Sequence, residues 1–279
     1  MASVALDRTV DDIFSGYSKL EAPEEKIEHK VEGSLVFDGF EELLGQYERL
    51  LEVASWRSDL KKIFYEVKSV LTPRQINSFL QASIKYEDNP EHSDRTGYFI
   101  TQLIQNSHDA GNNSFILNTK ALSKEINNIG RELQGIEDHL LEIIVEGSVG
   151  YQCGLKANNL RKLHISENSG NSCGYGASNI QEIYIGGNAK DACGFWAENI
   201  GKVYIGGNAG YWCCRSAKNI EKIYIGGDVG KECGSLAFDS TFKTPNKETL
   251  RLLKNNVPKD KNNKIYFIHL DKHEEEIEW

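Results

Sequence analysis

Cysteine is the residue of this chain with the most distinctive chemistry, and five of the six cysteines are evenly spaced. A disulfide needs two sulfurs with crossing side-chain directions, and a structural zinc ion needs four ligands around one point. A single line of thiols provides neither arrangement, and the sequence has no CxxC pair. We therefore predict buried, reduced thiols, with no metal site and no cofactor. The five recur every 20 residues as Cys153, Cys173, Cys193, Cys213 and Cys233.

Cys214 is the sixth cysteine, and it replaces the glycine found at the equivalent position of the other copies. Alternation of side chains along an extended chain would place it on the opposite face from Cys213. We therefore expect Cys214 to be exposed, and we regard it as the candidate for a reactive thiol.

Catalytic residues are not indicated by the sequence. Ser107, His108 and Asp109 are adjacent in the chain, whereas a catalytic triad brings separate residues together in defined roles. We expect these three to form a polar helix end before Gly111. The acidic residues of the repeated region are scattered, whereas cleavage of glycans needs paired carboxylates. The sequence thus favours a non-catalytic protein and leaves the question of an enzyme open.

Two sets of aromatic residues are candidates for binding. Tyr184, Tyr204 and Tyr224 recur every 20 residues, and alternation predicts that they form an exposed, stacked stripe. The second set occupies positions that do not repeat and has the composition of interface hot spots. Burial beneath flanking segments or beneath a second copy of the chain is the alternative for both sets. The second set comprises Phe195, Trp196, Tyr211 and Trp212.

A 20-residue repeat must position all of these residues. Its third and fifth positions are Ile, Leu or Val, its thirteenth is Cys, its seventeenth is Ala, and its nineteenth is Asn or, once, Asp. A short alternating strand followed by Gly-Gly-Asn predicts a parallel β-solenoid of five coils, stacked about 4.8 Å apart. We expect the asparagines to hydrogen-bond along the stack, and glycines such as Gly186 and Gly206 to supply positive φ. The units begin at Leu141, Arg161, Gln181, Gly201 and Glu221.

The glycine spacing carries a family resemblance. Gly207 and Gly210 precede the strand Ile223-Tyr224-Ile225, and Gly227, Gly230 and Gly234 continue the pattern. Over about 100 residues the chain resembles the Gly-rich β-helix that the C-terminal region of glutamate synthase shares with one component of formylmethanofuran dehydrogenase. The resemblance implies a structural scaffold and, as a partner, a component of a redox enzyme. A cysteine in every coil and the N-terminal half depart from that family.

The segments on either side are predicted to cap the solenoid, because an open end would expose strand edges and apolar core. We divide the chain into a polar arm at 1–33, a mainly helical domain at 34–140, the solenoid at 141–240, and a C-terminal cap with an acidic tail at 241–279. Helices are predicted at Val10–Leu20, from Asp38, and at Ser58–Leu71, Pro73–Tyr86 (capped by Thr72), Arg95–Ser107, Leu122–Leu133 and Asn246–Lys254. Strands are predicted at Ser114–Asn118 and Lys264–Asp271.

Composition limits the class of protein. The net charge is −9, which argues against a general nucleic-acid binder. No apolar stretch is long enough to span a membrane, and Met1 to Val10 lacks the apolar run of a signal peptide, so we predict a cytoplasmic protein. We predict an α+β scaffold or protein-interaction protein whose partner is another protein or a second copy. The alternative is a carbohydrate-binding or carbohydrate-active β-helix protein.

Overall fold

The computed structural model of the protein describes residues 41–52 and 67–279. The predicted polar arm, with its helix at Val10–Leu20, lies outside the described residues, as does most of the helix predicted at Ser58–Leu71. Residues 67–71 are described, and they are not helical.

The described chain is a mixed α+β structure, as predicted. Its helices are α1 (Glu41–Glu52), α2 (Pro73–Ala82), α3 (His92–Asp109) and α4 (Lys247–Asn256), with 3-10 turns at Ser83–Tyr86 and Lys259–Lys261. Its strands are β1 (Ser114–Asn118), β2 (Leu141–Glu146), β3 (Asn158–Ile165), β4 (Ser178–Ile185), β5 (Glu198–Ile205), β6 (Lys218–Ile225), β7 (Phe238–Thr244), β8 (Lys264–Ile268) and β9 (Glu274–Glu276). None of the described helices is long and apolar enough to cross a membrane.

These strands form one open sheet in which each strand pairs with the next in the chain. Strands β1 to β8 run parallel, and β9 returns antiparallel to β8. From β3 to β6 the register is the sequence period, so that Ile183 lies beside Val203 and Tyr184 beside Tyr204. A second line of parallel bridges joins the units at Val149, Ser169, Ala189, Ala209 and Val229.

The core is built from columns of equivalent residues, as the period predicts. The side chains at the third, fifth and twentieth positions of the units are buried, together with the cysteine and alanine columns. Burial of each Ile or Leu contributes about 1.5–3 kcal/mol before the cost of ordering the chain. The same columns hold the strands in register, because a slip of one residue would expose them.

Between the strands, each unit has a turn segment, at 151–156, 171–176, 191–196, 211–216 and 231–236. Residues with a left-handed backbone conformation occupy the twelfth, fourteenth and sixteenth positions of each unit. The fourteenth is glycine in four units, for example Gly174 at φ +62°.

The expectation that Gly186 and Gly206 supply positive φ is wrong. Neither has positive φ, and both are required by close packing instead. A Cβ atom on Gly206 would lie 2.2 Å from the carbonyl oxygen of Gly186, and one on Gly186 would lie 2.2 Å from that of Ser166. Only glycine fits, because adjacent units approach through their backbones at this corner.

At the N-terminal side, α2 begins as predicted. Thr72 and Gln75 form a reciprocal capping box, and Pro73 occupies the first turn. Helix α3 and strand β1 also occur where predicted. Helix α2 packs on β1, where Gln81 Nε2 donates to the carbonyl of Asn118 at 2.6 Å.

The helix predicted at Leu122–Leu133 is wrong. Asn128 and Glu132 have left-handed backbones, which a helix cannot accommodate. This segment instead runs beside the first unit, where the Gly150 amide donates to the Ile126 carbonyl at 2.9 Å and the Gly154 amide donates to the Ile129 carbonyl at 2.8 Å. The apolar spacing that suggested a helix buries Ile126, Ile129 and Leu133 in this irregular path.

The C-terminal segment follows the prediction with small changes in its boundaries. Helix α4 begins after Asn246, whose side chain accepts from the Glu248 and Thr249 amides. Strand β8 joins the sheet beside β7, and part of the acidic tail forms β9.

Candidate functional site

The predicted tyrosine stripe is a continuous stack on the outer face of the sheet. Ring centroids of Tyr184 and Tyr204 are 4.7 Å apart, those of Tyr204 and Tyr224 are 4.8 Å apart, and the planes are within 6° of parallel. His164 extends the stack at 4.3 Å from Tyr184. We call these four residues the tyrosine column.

The expectation that this stripe is exposed is wrong for two of its three tyrosines. Tyr204 is 8% exposed and Tyr224 is 7% exposed, whereas Tyr184 is half-buried. Each ring is covered by its neighbours and also lies over the glycine two residues further along, as Tyr204 lies over Gly206. The faces of the rings are therefore occupied by contacts within the column. Burial also lowers the pKa of His164, which lies at the end of the column.

The second aromatic set lies on the turn segments, and three of its four members are exposed. Trp196 is 58% exposed, Tyr211 is 50% exposed and Trp212 is 44% exposed. Phe195 is half-buried and stacks on Tyr175 at 5.2 Å. We call these five residues the aromatic face; Tyr175 is not among the binding candidates predicted from the sequence.

Ring contacts bring part of the aromatic face together. The Trp196 indole stands nearly perpendicular to Phe195 and Tyr175, at 76° and 69°, with centroids 5.0 and 5.7 Å away. Arg215 lies over the Phe195 ring at 5.9 Å and pairs with Glu232 at 2.6 Å. Arg215 thereby links the unit of Phe195 to the next two units.

Tyr211 and Trp212 lie in the following unit, and their backbone amides hydrogen-bond to the units on either side of it. The Tyr211 amide donates to Asp191 Oδ1 at 2.8 Å, and the Trp212 amide donates to the Lys231 carbonyl at 3.0 Å. The Arg215 amide in turn donates to the Trp212 carbonyl at 3.1 Å. The tyrosine column lies on the strands, so the two predicted aromatic sets form separate surfaces.

The backbone beneath the tryptophans is unusual. Trp196 and Trp212 have a left-handed backbone, at φ +56° and +59°. The equivalent left-handed positions of the other units hold Lys156, Gly176, Ser216 and Leu236 for Trp196, and Gln152, Ser172, Ala192 and Glu232 for Trp212. A bulky side chain in this region costs about 1 kcal/mol or more, and its own burial offsets little because it is exposed. Stability therefore does not account for tryptophan at these two positions.

The predicted buried thiols are confirmed: all six cysteines are free and buried. A hydrogen bond to the Cys173 thiol, together with burial, raises the pKa of Cys153 well above its ordinary value. Such thiols stay protonated and are poor nucleophiles.

The expected exposure of Cys214 is wrong, because this residue is 1% exposed. Its left-handed backbone, at φ +51°, breaks the alternation on which that expectation depended. The sulfur points inward, 3.8 Å from Cys213 Sγ and close to Gly194. Its role as a reactive thiol stays a prediction, and burial argues against it.

Ser107, His108 and Asp109 end helix α3, as expected. Ser107 Oγ donates to the Leu71 carbonyl at 2.5 Å, His108 Nδ1 lies 2.9 Å from the Asn112 carbonyl oxygen, and the Ile136 amide donates to His108 Nε2 at 3.2 Å. Ser107 and His108 therefore contact backbone groups, and Asp109 Oδ1 accepts from Gln105 Nε2 at 2.9 Å, so the three side chains are not arranged as a triad. In the part of the chain that is described, no group of His, Cys, Asp and Glu could hold a metal ion.

A groove beside the asparagine column was missed by the sequence analysis. The column comprises Asn159, Asn179, Asn199 and Asn219, which all have a left-handed backbone. Its side chains hydrogen-bond from unit to unit as predicted, with Asn219 Nδ2 donating to Asn199 Oδ1 at 2.8 Å. The groove has a volume of about 1020 Å³ and opens where Gly201 replaces the longer side chains of the other units. This glycine was the feature of the sequence that could have predicted the groove. Its polar lining includes Asn159, Asn179, Asn199, Gln181, Lys202 and Lys222.

Comparison with known proteins finds no matching family model, no similar curated protein and no similar solved structure. The resemblance to the glutamate synthase and formylmethanofuran dehydrogenase β-helices stays a prediction.

Proposed function

We propose that this chain is a non-catalytic scaffold that binds a protein partner through its aromatic face. The observation that carries the proposal is the exposure of Trp196, Tyr211 and Trp212 on the turn segments, where both tryptophans have a left-handed backbone. Strained, exposed positions of this kind occur where binding compensates for their cost. Tryptophan, tyrosine and arginine are also the residues that contribute most to protein interfaces.

We also propose that the stacked units form a parallel β-solenoid. Two lines of parallel pairing support this, one along the strands and one at Val149, Ser169, Ala189, Ala209 and Val229. Both advance by one 20-residue unit per step. In such an architecture, side chains at variable positions of the turn segments are displayed on a rigid frame, which suits a scaffold.

The ring geometry favours a protein partner over a carbohydrate. A sugar ring packs on an exposed aromatic ring, but Tyr175 and Phe195 cover one another, and so do the rings of the tyrosine column. Within the aromatic face, a sugar could therefore stack only on Trp196, Tyr211 or Trp212. Cleavage of a glycan would further require available carboxylates beside the rings. Asp191 instead accepts the Tyr211 amide, and Glu232 pairs with Arg215.

The proposal is tested by quantitative affinity purification with the full chain as bait. We expect a stoichiometric protein from the source cells to bind the natural sequence and to be lost from a Trp196→Ala, Trp212→Ala variant. Tyr184→Phe is the matched control, because it changes an aromatic residue outside the aromatic face. A partner retained by the double variant, or lost equally from the control, contradicts the proposal. Recovery of a second copy of the chain identifies self-association as the interaction.

A further inference from the structure

One column of the turn segments alternates large and small side chains. Backbone hydrogen bonds keep it in register: the Trp196 amide donates to the Arg215 carbonyl at 3.0 Å, and the Ser216 amide to the Ser235 carbonyl at 2.8 Å. The large members are exposed, and the small members leave a notch between each pair of them. We call this the ridge column, and it comprises Lys156, Gly176, Trp196, Ser216 and Leu236.

The two notches are open to solvent. A Cβ atom built on Gly176 would have Lys156 Cγ, at 3.5 Å, as its nearest neighbour outside the adjacent residues. Ser216 lies between Trp196 and Leu236, which are 58% and 62% exposed. Each notch therefore offers room for one apolar side chain against an exposed large residue.

The spacing of the notches matches one extended peptide conformation. Steps along the stack measure 4.7 and 4.8 Å in the tyrosine column, so two steps, from Gly176 to Ser216, span about 9.5 Å. A polyproline II helix has three residues per turn and a rise of about 3.1 Å, so residues i and i+3 lie on the same side about 9.3 Å apart. A β-strand places its same-side residues about 6.6 Å apart and does not match.

We propose that the ridge column binds a proline-rich segment of a partner protein in the polyproline II conformation. Apolar side chains at residues i and i+3 fill the notches over Gly176 and Ser216, and the intervening residues pack on the Trp196 indole. The indole stands at 76° to Phe195 and is not stacked with it, so it can provide the aromatic surface on which such peptides dock. The inference rests on the proposed function and names the partner's chemistry.

The charge of Lys156 favours an acidic residue at one end of the bound peptide. Exposed Lys156 lies at the Gly176 end of the ridge column, and apolar Leu236 lies at the other end. A carboxylate at the end of the peptide that contacts Lys156 would add an electrostatic attraction. This attraction would weaken as the salt concentration rises. The proposed occupant is therefore a proline-rich segment with an acidic residue at one end.

The test is isothermal titration calorimetry of the full chain with a synthetic peptide of proline and leucine, with leucines three residues apart and two glutamates at one end. We expect saturable binding that weakens at least about tenfold in Ser216→Trp, because the indole fills the notch. Ser216 and Trp196 share the same left-handed backbone, at φ +54° and +56°, so we expect Ser216→Trp to cost no more stability than tryptophan costs at position 196, and thermal unfolding of the variant checks that it folds. Ser172→Trp is the matched control, because Ser172 has the same left-handed backbone, at φ +62°, but lies outside the ridge column and the aromatic face; it should change the affinity less than about twofold.

The inference would be overturned by equal affinity of Ser216→Trp and the natural chain, or by equal binding of a peptide whose leucines are four residues apart. Absence of binding by the first peptide would also overturn it. If the peptide fails while the natural partner is still lost from Trp196→Ala, Trp212→Ala, the proposed function stands and only the peptide assignment is wrong. If the partner is retained by that variant, both are wrong.

Discussion

Single glycines decide how closely neighbouring units approach one another. A Cβ atom on Gly206 would lie 2.2 Å from the Gly186 carbonyl oxygen, and backbone atoms cannot yield without opening the stack. We expect Gly206→Ala to lower the free energy of unfolding by about 3 kcal/mol or more. Chemical denaturation followed by circular dichroism measures the change.

Gly45, inside helix α1, provides the control, because a Cβ atom there meets nothing within 4 Å. Gly45→Ala should raise the free energy of unfolding by about 0.5–1 kcal/mol. A Gly206→Ala variant as stable as the natural chain would contradict the packing described for this corner.

His164 makes the stability of the protein depend on pH. Burial first, and then Lys162, lowers its pKa in the folded chain, with Glu182 acting in the opposite direction. The unfolded chain therefore binds the proton more readily, and stability falls as the pH drops below about 6.5. We expect His164→Phe, which keeps a ring on Tyr184, to reduce this loss.

Denaturant midpoints at pH 7.5 and pH 5.5 provide the measurement. Burial also lowers the pKa of His92, so the variant should reduce the acid sensitivity without abolishing it. An unchanged difference between the two midpoints would show that His164 does not contribute.

At the scale of elements, the asparagine column both turns the strands and links them. Asn199 has φ +56°, donates to Asn179 Oδ1 at 3.2 Å and accepts from Asn219 Nδ2 at 2.8 Å. Asn199→Gly loses the hydrogen bonds but keeps the left-handed backbone accessible, whereas Asn199→Ala loses both. We expect the alanine variant to be less stable than the glycine variant by about 1 kcal/mol, measured by thermal unfolding. Equal stability would assign the role of Asn199 to its side chain alone.

The sequence predicted the elements whose pattern repeats and failed where backbone conformation departs from strand or helix. The strands from β2 to β7 follow from the alternating apolar columns. The segment at 122–133 has apolar residues at helical spacing, but its path is set by hydrogen bonds to the first turn segment. No local signal distinguishes the two outcomes, because Ile126, Ile129 and Leu133 are buried in either.

The sequence likewise predicted only part of the candidate site. Residue type and lack of repetition identified Trp196, Tyr211 and Trp212, which are exposed. Alternation failed for Cys214 because it lies in a left-handed turn, where neighbouring side chains need not point to opposite faces. It also could not predict that stacking would hide Tyr204 and Tyr224, since the covering groups are the neighbouring rings themselves.

At the scale of the whole molecule, the two ends of the sheet are protected differently. Helix α2 packs on β1, whereas the opposite end carries β9, a strand of three glutamates. Charge on an edge strand opposes pairing with a second molecule. We expect Glu275→Thr, Glu276→Thr to associate in a concentration-dependent manner, measured by light scattering. Glu278→Thr, outside the strand, should behave like the natural chain, and a monodisperse double variant would mean that these charges do not protect the edge.

The register of the sheet also determines how the chain can reach this fold. Between β3 and β6 every strand pairs with segments one period, 20 residues, before and after it. Closing a loop of this length costs little entropy compared with pairing distant segments. Each unit can therefore fold against the unit before it, so that the units are added to the sheet one after another. In the proposed solenoid, an in-frame duplication of one unit would add one strand to the sheet and leave the cross-section of the units unchanged.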